Sequence, residues 1–227
     1  LFDIFLIESH HLLMIFKDRQ DAGRRLSEAL VEFKNNKQTL VLGLPRGGVP
    51  VAFEVAKALN LPLGVLIVRK LGFPGQEELA MGAIDSYGGV FLNEEISQHV
   101  SQAAIDFEIE RQKRKIRERL ELYGSRPLNL KNHSVILVDD GLATGASMMV
   151  AINTVKRLGV ESILVAVPVA PSDTVERLRN QVNKIIVLET PENFAGVGQW
   201  YDKFTQVQDS EVVSLLRENE GAASVRF

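Results

Sequence analysis

Two neighbouring carboxylates, Asp139 and Asp140, followed by Gly141, Thr144, Gly145 and Ser147, are the residues of this chain best suited to chemistry. Acids side by side repel a phosphate. They can instead hydrogen-bond a pair of vicinal hydroxyls, or hold water on a magnesium ion. The small-residue loop suits the opposite task. Its backbone N–H groups, with the positive end of a following helix, can hold a phosphate. Glycine lets the backbone come close without a Cβ in the way, and Thr144 and Ser147 add hydroxyl donors. Hydroxyls and phosphate together describe a phosphorylated sugar. The alternative is an ordinary strand-to-helix turn with solvated acids, but such turns seldom carry Asp-Asp and Thr-Gly together after an apolar run.

These side chains need a strand and a helix to place them. Val135, Ile136, Leu137 and Val138 read as a buried strand ending at the acids, and Ala151, Ile152, Val155 and Leu158 recur at helical spacing beyond the loop. Further strands are expected over 39–44, 63–68, 162–167 and 184–188, and helices over 18–33, 49–59, 94–122, 175–182 and 211–217. Residues 80–84 and 89–92 read as a β-hairpin about a turn at 85–88, and 69–79 as a glycine-rich loop. Apolar strands alternating with helices argue for an α/β fold, a parallel sheet with helices on both faces. Ligands of such sheets gather beyond the carboxyl ends of the strands. Three of those ends carry unusual residues: Pro45-Arg46-Gly47-Gly48, Arg69-Lys70 and Asp139-Asp140. Two glycines beside Arg46 would let N–H groups and a forked cation face an anion, although a plain turn would look the same. Arg69 and Lys70 repel each other unless an anion or acid is near. Surface cations beside Glu77 and Glu78 are the plainer reading.

The chain has 227 residues, a net charge of −3 and no cysteine. That length suits one α/β domain with a small cap. The charge offers no global field to nucleic acid. The basic run Arg111, Lys113, Arg114, Lys115, Arg117 and Arg119 is interleaved with glutamates and lacks aromatics, as a solvated helix face does. Without cysteine there is no disulfide scaffold, thiol catalysis or Cys-based zinc site, which fits a reducing cytoplasm. No run approaches the roughly 18 apolar residues of a membrane span. Residues 1–13 lack the basic leader and cleavage site of a signal peptide. They read as an extension before a start at Met14, with 14–227 as a single domain. His10 and His11 are adjacent, so they point different ways and make a poor metal pair.

The stretch 135–147 resembles the phosphoribosyl pyrophosphate (PRPP) signature of the type I phosphoribosyltransferases. An apolar run, two acids, a small-residue loop with Thr-Gly and a closing Ser or Thr match over thirteen positions. Residues 16–23, 42–51, 68–84, 165–171 and 195–209 are similar to a poorly assigned bacterial group of predicted phosphoribosyltransferases, so the resemblance covers nearly everything from Met14 on. It implies a parallel sheet of that type, a β-hairpin flexible loop, and a small hood from about 14–35 and 191–210. It implies transfer of the 5-phosphoribosyl group of PRPP to a nitrogen acceptor, usually a nucleobase, with release of pyrophosphate in nucleotide salvage. Asp139 and Asp140 would then hold the ribose hydroxyls. Gly141, Leu142, Ala143, Thr144, Gly145, Ala146 and Ser147 would hold the 5′-phosphate. Arg46, Gly47 and Gly48 would hold the pyrophosphate, and the peptide bond before the basic residue is often cis in the family. Arg69 and Lys70 would neutralise the leaving pyrophosphate from a loop that closes over it. Magnesium is the implied cofactor, carried by PRPP and reached by the acids through water, with no direct protein ligand. The implied partners are PRPP and a small-molecule acceptor, without nucleic acid or membrane, and a homodimer is among the expected assemblies.

Ala143 stands where 6-oxopurine enzymes carry an acid for purine N7, and Leu-Ala-Thr-Gly is closer to the adenine phosphoribosyltransferase form. Hypoxanthine and guanine are therefore disfavoured. Trp200 and Tyr201, in a tail with Phe194 and Phe204, would either stack a planar base or anchor the tail to the core. Glu77 or Glu78 could take an acid–base role. Two other readings stay open: a non-catalytic PRPP-binding regulator, although no helix-turn-helix segment is evident, and an enzyme acting on another phosphorylated ribose.

Overall fold

Strands that are apolar on both faces need cover on both faces, and the arrangement of this chain follows from that need. The computed structural model describes residues 4–6, 15–125 and 129–222. Its elements begin with Ile4–Leu6 (β1), Arg19–Glu28 (α1), Thr39–Gly43 (β2), Gly48–Leu59 (α2) and Leu63–Val65 (β3). Then come Val68–Phe73 (β4), Gln76–Asp85 (β5), Val90–Leu92 (β6), Glu94–Ser97 (α3) and Gln102–Tyr123 (α4). Ser134–Val138 (β7), Ala146–Arg157 (α5), Ser162–Val169 (β8), Ser172–Arg179 (α6), Lys184–Glu189 (β9) and Asp209–Ala222 (α7) complete the described chain. A parallel sheet runs in the order β1-β9-β8-β7-β2-β3.

Side chains along each strand alternate between two cores. Val135 and Leu137 of β7 point with Leu40, Leu42 and Val165 toward α5 and α6. Ile136 and Val138 point with Val41, Leu164 and Ala166 toward α1, α2 and the Trp200–Tyr201 segment. This period of two is what makes an apolar run a strand with both faces buried. In register, Gly43 faces Val138 and Val138 faces Ala166. The chains leaving β2 and β7 therefore emerge at one height, which is where the loops of interest lie, while β8 runs on to Val169.

Several expected elements are revised. The strand expected over 63–68 is two: β3 belongs to the parallel sheet, and β4 opens a separate antiparallel sheet β4-β5-β6. The loop expected over 69–79 is the outer part of the β4–β5 hairpin, with Phe73 opposite Gln76 and register shifts around Gly72. Gly72 marks an irregularity in the ladder, and Gly75, at φ +77°, the tight turn. Glycine and proline in a strand pair look like a loop when only composition is seen. The hairpin expected over 80–92 is present as β5–β6. The helix expected over 94–122 is broken between α3 and α4. Asn93 and Ser101 accept from backbone N–H groups of Glu95 and Ala104, so each caps a new helix start. The helix expected from 18 stops at Glu28, and α7 is longer than expected.

The turn after β5 has a buried anchor. Asp85 is 2% exposed. It accepts from the N–H groups of Tyr87 (2.6 Å) and Gly89 (3.0 Å) and from Thr154 Oγ1 (2.8 Å), and pairs with Arg157 (3.2 Å). One carboxylate thus ties the small sheet to α5. The segments expected to form a hood are also joined. Phe16 N–H donates to Trp200 O (2.8 Å), and Asp202 N–H donates to Phe16 O (2.8 Å). The expectations for His10, His11 and Met14 lie outside the described residues, as does the Glu78 side chain.

Candidate active site

Two loops meet at the carboxyl ends of β2 and β7. Leu44 N–H donates to Val138 O (2.9 Å), continuing the ladder one residue past β2. The chain then turns through Pro45-Arg46, whose peptide bond is cis, into α2. A Cβ on Gly48 would lie 2.7 Å from Val138 O and 2.8 Å from Asp139 Cα. A Cβ on Gly47 would overlap the Asp140 carboxylate. The Gly48 clash is with backbone, so only glycine permits that approach, and the basic turn and the acid pair form one unit.

The two acids differ. Asp139 Oδ1 accepts from Asp140 N–H (2.9 Å), which folds its carboxylate back into the turn. Removal from water, and then the charge of Asp140, hold the Asp139 carboxyl well above the usual carboxylate range. Asp140 faces outward, where Arg19 Nε of α1 donates to Asp140 Oδ2 (2.8 Å). Arg19 Nη1 donates to Thr205 O (2.8 Å), and its guanidinium lies 3.9 Å from the Phe204 ring centroid. Tyr201 O–H donates to Asp140 O (2.6 Å). Burial, and then Asp140, raise the tyrosine's pKa, so this donor stays protonated.

The loop after the acids is braced from behind. Leu142 is buried and its N–H donates to Val169 O (2.9 Å). Thr174 Oγ1 of α6 donates to Ala143 O (2.8 Å), and Arg177 Nη2 donates to Thr144 O (3.1 Å). Gly145, at φ +69°, caps α5, and a Cβ there would press on Thr174. Thr144, Ala146 and Ser147 stay exposed at the start of that helix. Carbonyls held from behind, and the Thr144 and Ser147 side chains left exposed at a helix start, make a loop suited to an anion.

Arg69 and Lys70 are placed differently from expectation, within the paired part of β4 opposite Ile84 and Ala83. Arg69 Nε donates to Gln112 Oε1 of α4 (2.6 Å). Glu77 is engaged by Arg111 Nη1 (3.1 Å), which makes it an ion-pair partner.

Two clefts flank the cis turn. One, of 410 Å3, joins Arg46, Gly47 and Asp140 with Arg19, Phe204 and Gln206. The other, of 380 Å3, joins Pro45 with Arg69, Lys70 and one face of α4. Trp200 and Tyr201 have no open face there. They are 5% and 6% exposed, packed in the core beside α1 and α2. The ring that reaches the cleft is Phe204, 38% exposed. Sequence reasoning also passed over Arg19, Arg177 and Asp209. The resemblance over 16–23 and 195–209 was the available signal for Arg19, Phe204 and Asp209; Arg177 had none.

A family model for the phosphoribosyl transferase domain matches residues 14–203. A Mycobacterium tuberculosis protein, provisionally named a phosphoribosyl transferase in strains CDC 1551 and H37Rv, is 43% identical over 208 residues, covering 90% of this chain and 47% of that protein. The chain thus spans about half the length of the curated relatives it matches. The crystal structure of TT1426 from Thermus thermophilus is 42% identical, with a TM-score of 0.78, covering 90% of this chain and 99% of that one.

Proposed function

The chain belongs to the phosphoribosyl transferase family, and from that premise we propose that it binds PRPP and transfers its phosphoribosyl group to a ring nitrogen, releasing pyrophosphate. The observation that carries this reading is the direct contact between the Arg46-Gly47-Gly48 turn and the Asp139-Asp140 pair. PRPP needs hydroxyl acceptors on its ribose and anion donors at both ends. Here acids, a basic glycine turn and a phosphate-suited loop converge at adjoining strand ends.

In this mechanism Asp140 accepts hydrogen bonds from the ribose hydroxyls. The loop 141–147 holds the 5′-phosphate, with the α5 N-terminus behind it. Arg46, Arg69 and Lys70 bind the pyrophosphate. The C1–O bond breaks and its electron pair leaves with pyrophosphate. The acceptor's lone pair forms the new N–C1 bond, and the nitrogen's proton passes to solvent or a nearby base. Positive charge gathers on the sugar as the bond breaks, and the two carboxylates favour it. Alignment of acceptor, C1 and leaving group accounts for much of the rate. Among the described residues no group of three or more His, Asp or Glu could hold a metal. Two adjacent acids suit an ion that keeps most of its water and rides on substrate oxygens. Asp139 and Asp140 would hold magnesium in that way, and when bound it supplies charge neutralisation to the leaving group. Phe204, whose ring Arg19 covers from one side, offers the acceptor the part that stays exposed. Ala143 offers no acid to purine N7, which disfavours hypoxanthine and guanine.

Incubation with PRPP, magnesium and a panel of nitrogen bases, with pyrophosphate release as the readout, tests the proposal. At least one base should turn over. PRPP should raise the melting temperature more than ribose 5-phosphate does, since a ligand that binds only the folded state stabilises it. No shift at millimolar PRPP ends the reading. Protection without turnover of any base would move the protein to the non-catalytic PRPP-binding class.

A further inference from the structure

Five cations converge on the 380 Å3 cleft between β4 and α4: Arg69 and Lys70 from the strand, and Arg111, Lys115 and Arg119 from the helix. The three helix residues are four apart and share one face of α4. They are half of the basic run that a solvated face would otherwise explain. The acids lining the cleft are Glu77 and Glu108, and both are engaged by Arg111. Glu108 uses both oxygens, at 2.6 and 3.0 Å.

The other cations have weaker partners. Arg69 donates to the neutral amide oxygen of Gln112. Burial, then the nearby charges of Arg119 and Arg111, hold its pKa below the ordinary guanidinium range. Arg119 reaches Asp209 at 3.6 Å, and the same carboxylate lies 3.6 Å from Arg46. Lys70 and Lys115 have no ion-pair partner among the described residues. Like charges held together in a cleft repel, and an anion of high charge relieves that repulsion. Pro45 lines the cleft, and Arg46 beside it shares Asp209 with Arg119. The cleft therefore opens directly from the basic turn.

We propose that Lys115 and Arg119 of α4, with Arg69, form a second wall of the pyrophosphate subsite and bind its terminal phosphate, while Arg111 braces the hairpin through Glu77. This rests on the PRPP reading above. The ligand class is a diphosphate, free or on the sugar. A molecule with a single 5′-phosphate does not reach this wall.

Isothermal titration of the full chain with inorganic pyrophosphate plus magnesium, with PRPP plus magnesium, and with ribose 5-phosphate tests the inference. The variants are Lys115→Ala, Arg119→Gln and their double, with Lys113→Ala as control. Lys113 pairs with Glu110 and does not line the cleft. Each of the first two should weaken pyrophosphate and PRPP by about tenfold, the loss of one charge-assisted contact. Ribose 5-phosphate should be unaffected, and Lys113→Ala should change nothing. Lys115 is exposed, so Lys115→Ala decides the matter even if Arg119→Gln fails to fold. Unchanged PRPP and pyrophosphate affinity in Lys115→Ala overturns the inference and leaves the proposed function standing. An equal loss in Lys113→Ala also overturns it, because the effect would then be charge at a distance. If the native chain ignores PRPP but binds pyrophosphate in a Lys115-dependent way, the anion wall stands and the proposed function fails. Binding of neither overturns both.

Discussion

Asp139 and Asp140 are neighbours in the chain and unlike in environment, and the difference predicts how each responds to pH. Asp139 has lost water and sits beside a second acid, so its folded-state pKa is raised. Between the ordinary carboxylate range, about pH 4, and that raised value, the folded state keeps a proton the unfolded state has released. Stability then falls as pH rises through that window. Asp139→Asn, with no charge to desolvate, should raise the melting temperature of the ligand-free protein at neutral pH, and the advantage should shrink toward pH 4. The same variant should slow pyrophosphate release by about a hundredfold, the order lost with one preorganised electrostatic group. A variant equally destabilised at every pH would show that the acid is merely structural. Phe204 carries a second prediction. Base stacking is worth about 1–3 kcal/mol, so Phe204→Ala should weaken acceptor use by up to about a hundredfold with little change in PRPP affinity. Trp200→Ala, by contrast, should appear as lost stability. The acid pair was legible from residue types and spacing alone. The choice between Trp200 and Phe204 was not, because both are aromatic and four positions apart. Only the fold shows Trp200 buried beside α1 and α2 and Phe204 at the cleft.

At the scale of elements, the apolar strands were readable and the hairpin was not. An uninterrupted run such as 135–138 has one stable fate in a covered sheet. Gly72, Pro74 and Gly75 serve a loop or a bent hairpin equally well, and long-range pairing with 76–85 settles which. The 94–122 helix was overextended because its apolar stripe runs across the break, whereas the capping side chains Asn93 and Ser101 mark where helices begin. The tie from Asp85 to α5 was invisible for the same reason: its partners Thr154 and Arg157 lie far along the chain. Asp85→Ala should leave two N–H groups without their acceptor and Arg157 without its ion-pair partner, costing about 2–4 kcal/mol. Urea titration should show the midpoint falling, with Asp85→Asn losing less because an amide oxygen still accepts. Equal midpoints for native and Asp85→Ala proteins would remove the anchor role.

At the scale of the whole molecule, the fold class followed from strands buried on both faces, but strand order and register did not. Periodicity says which residues face a core and nothing about which strand lies beside which. The register that sets Gly43 beside Val138 is what brings the basic turn and the acid pair, separate motifs in the sequence, into one site. The Gly47–Asp140 contact gives that register a consequence for heredity. The two residues are far apart in the chain, yet any side chain at position 47 would have to displace the Asp140 carboxylate from its present place. A random library varied at 47, 48, 139 and 140 together should therefore yield active clones only in linked combinations. Substitutions at 47 would push the Asp140 carboxylate out of place and substitutions at 48 would strike the backbone at 138 and 139, so active clones should keep both glycines and both acids, and descendants of this chain inherit the basic turn and the acid pair as a single unit of variation.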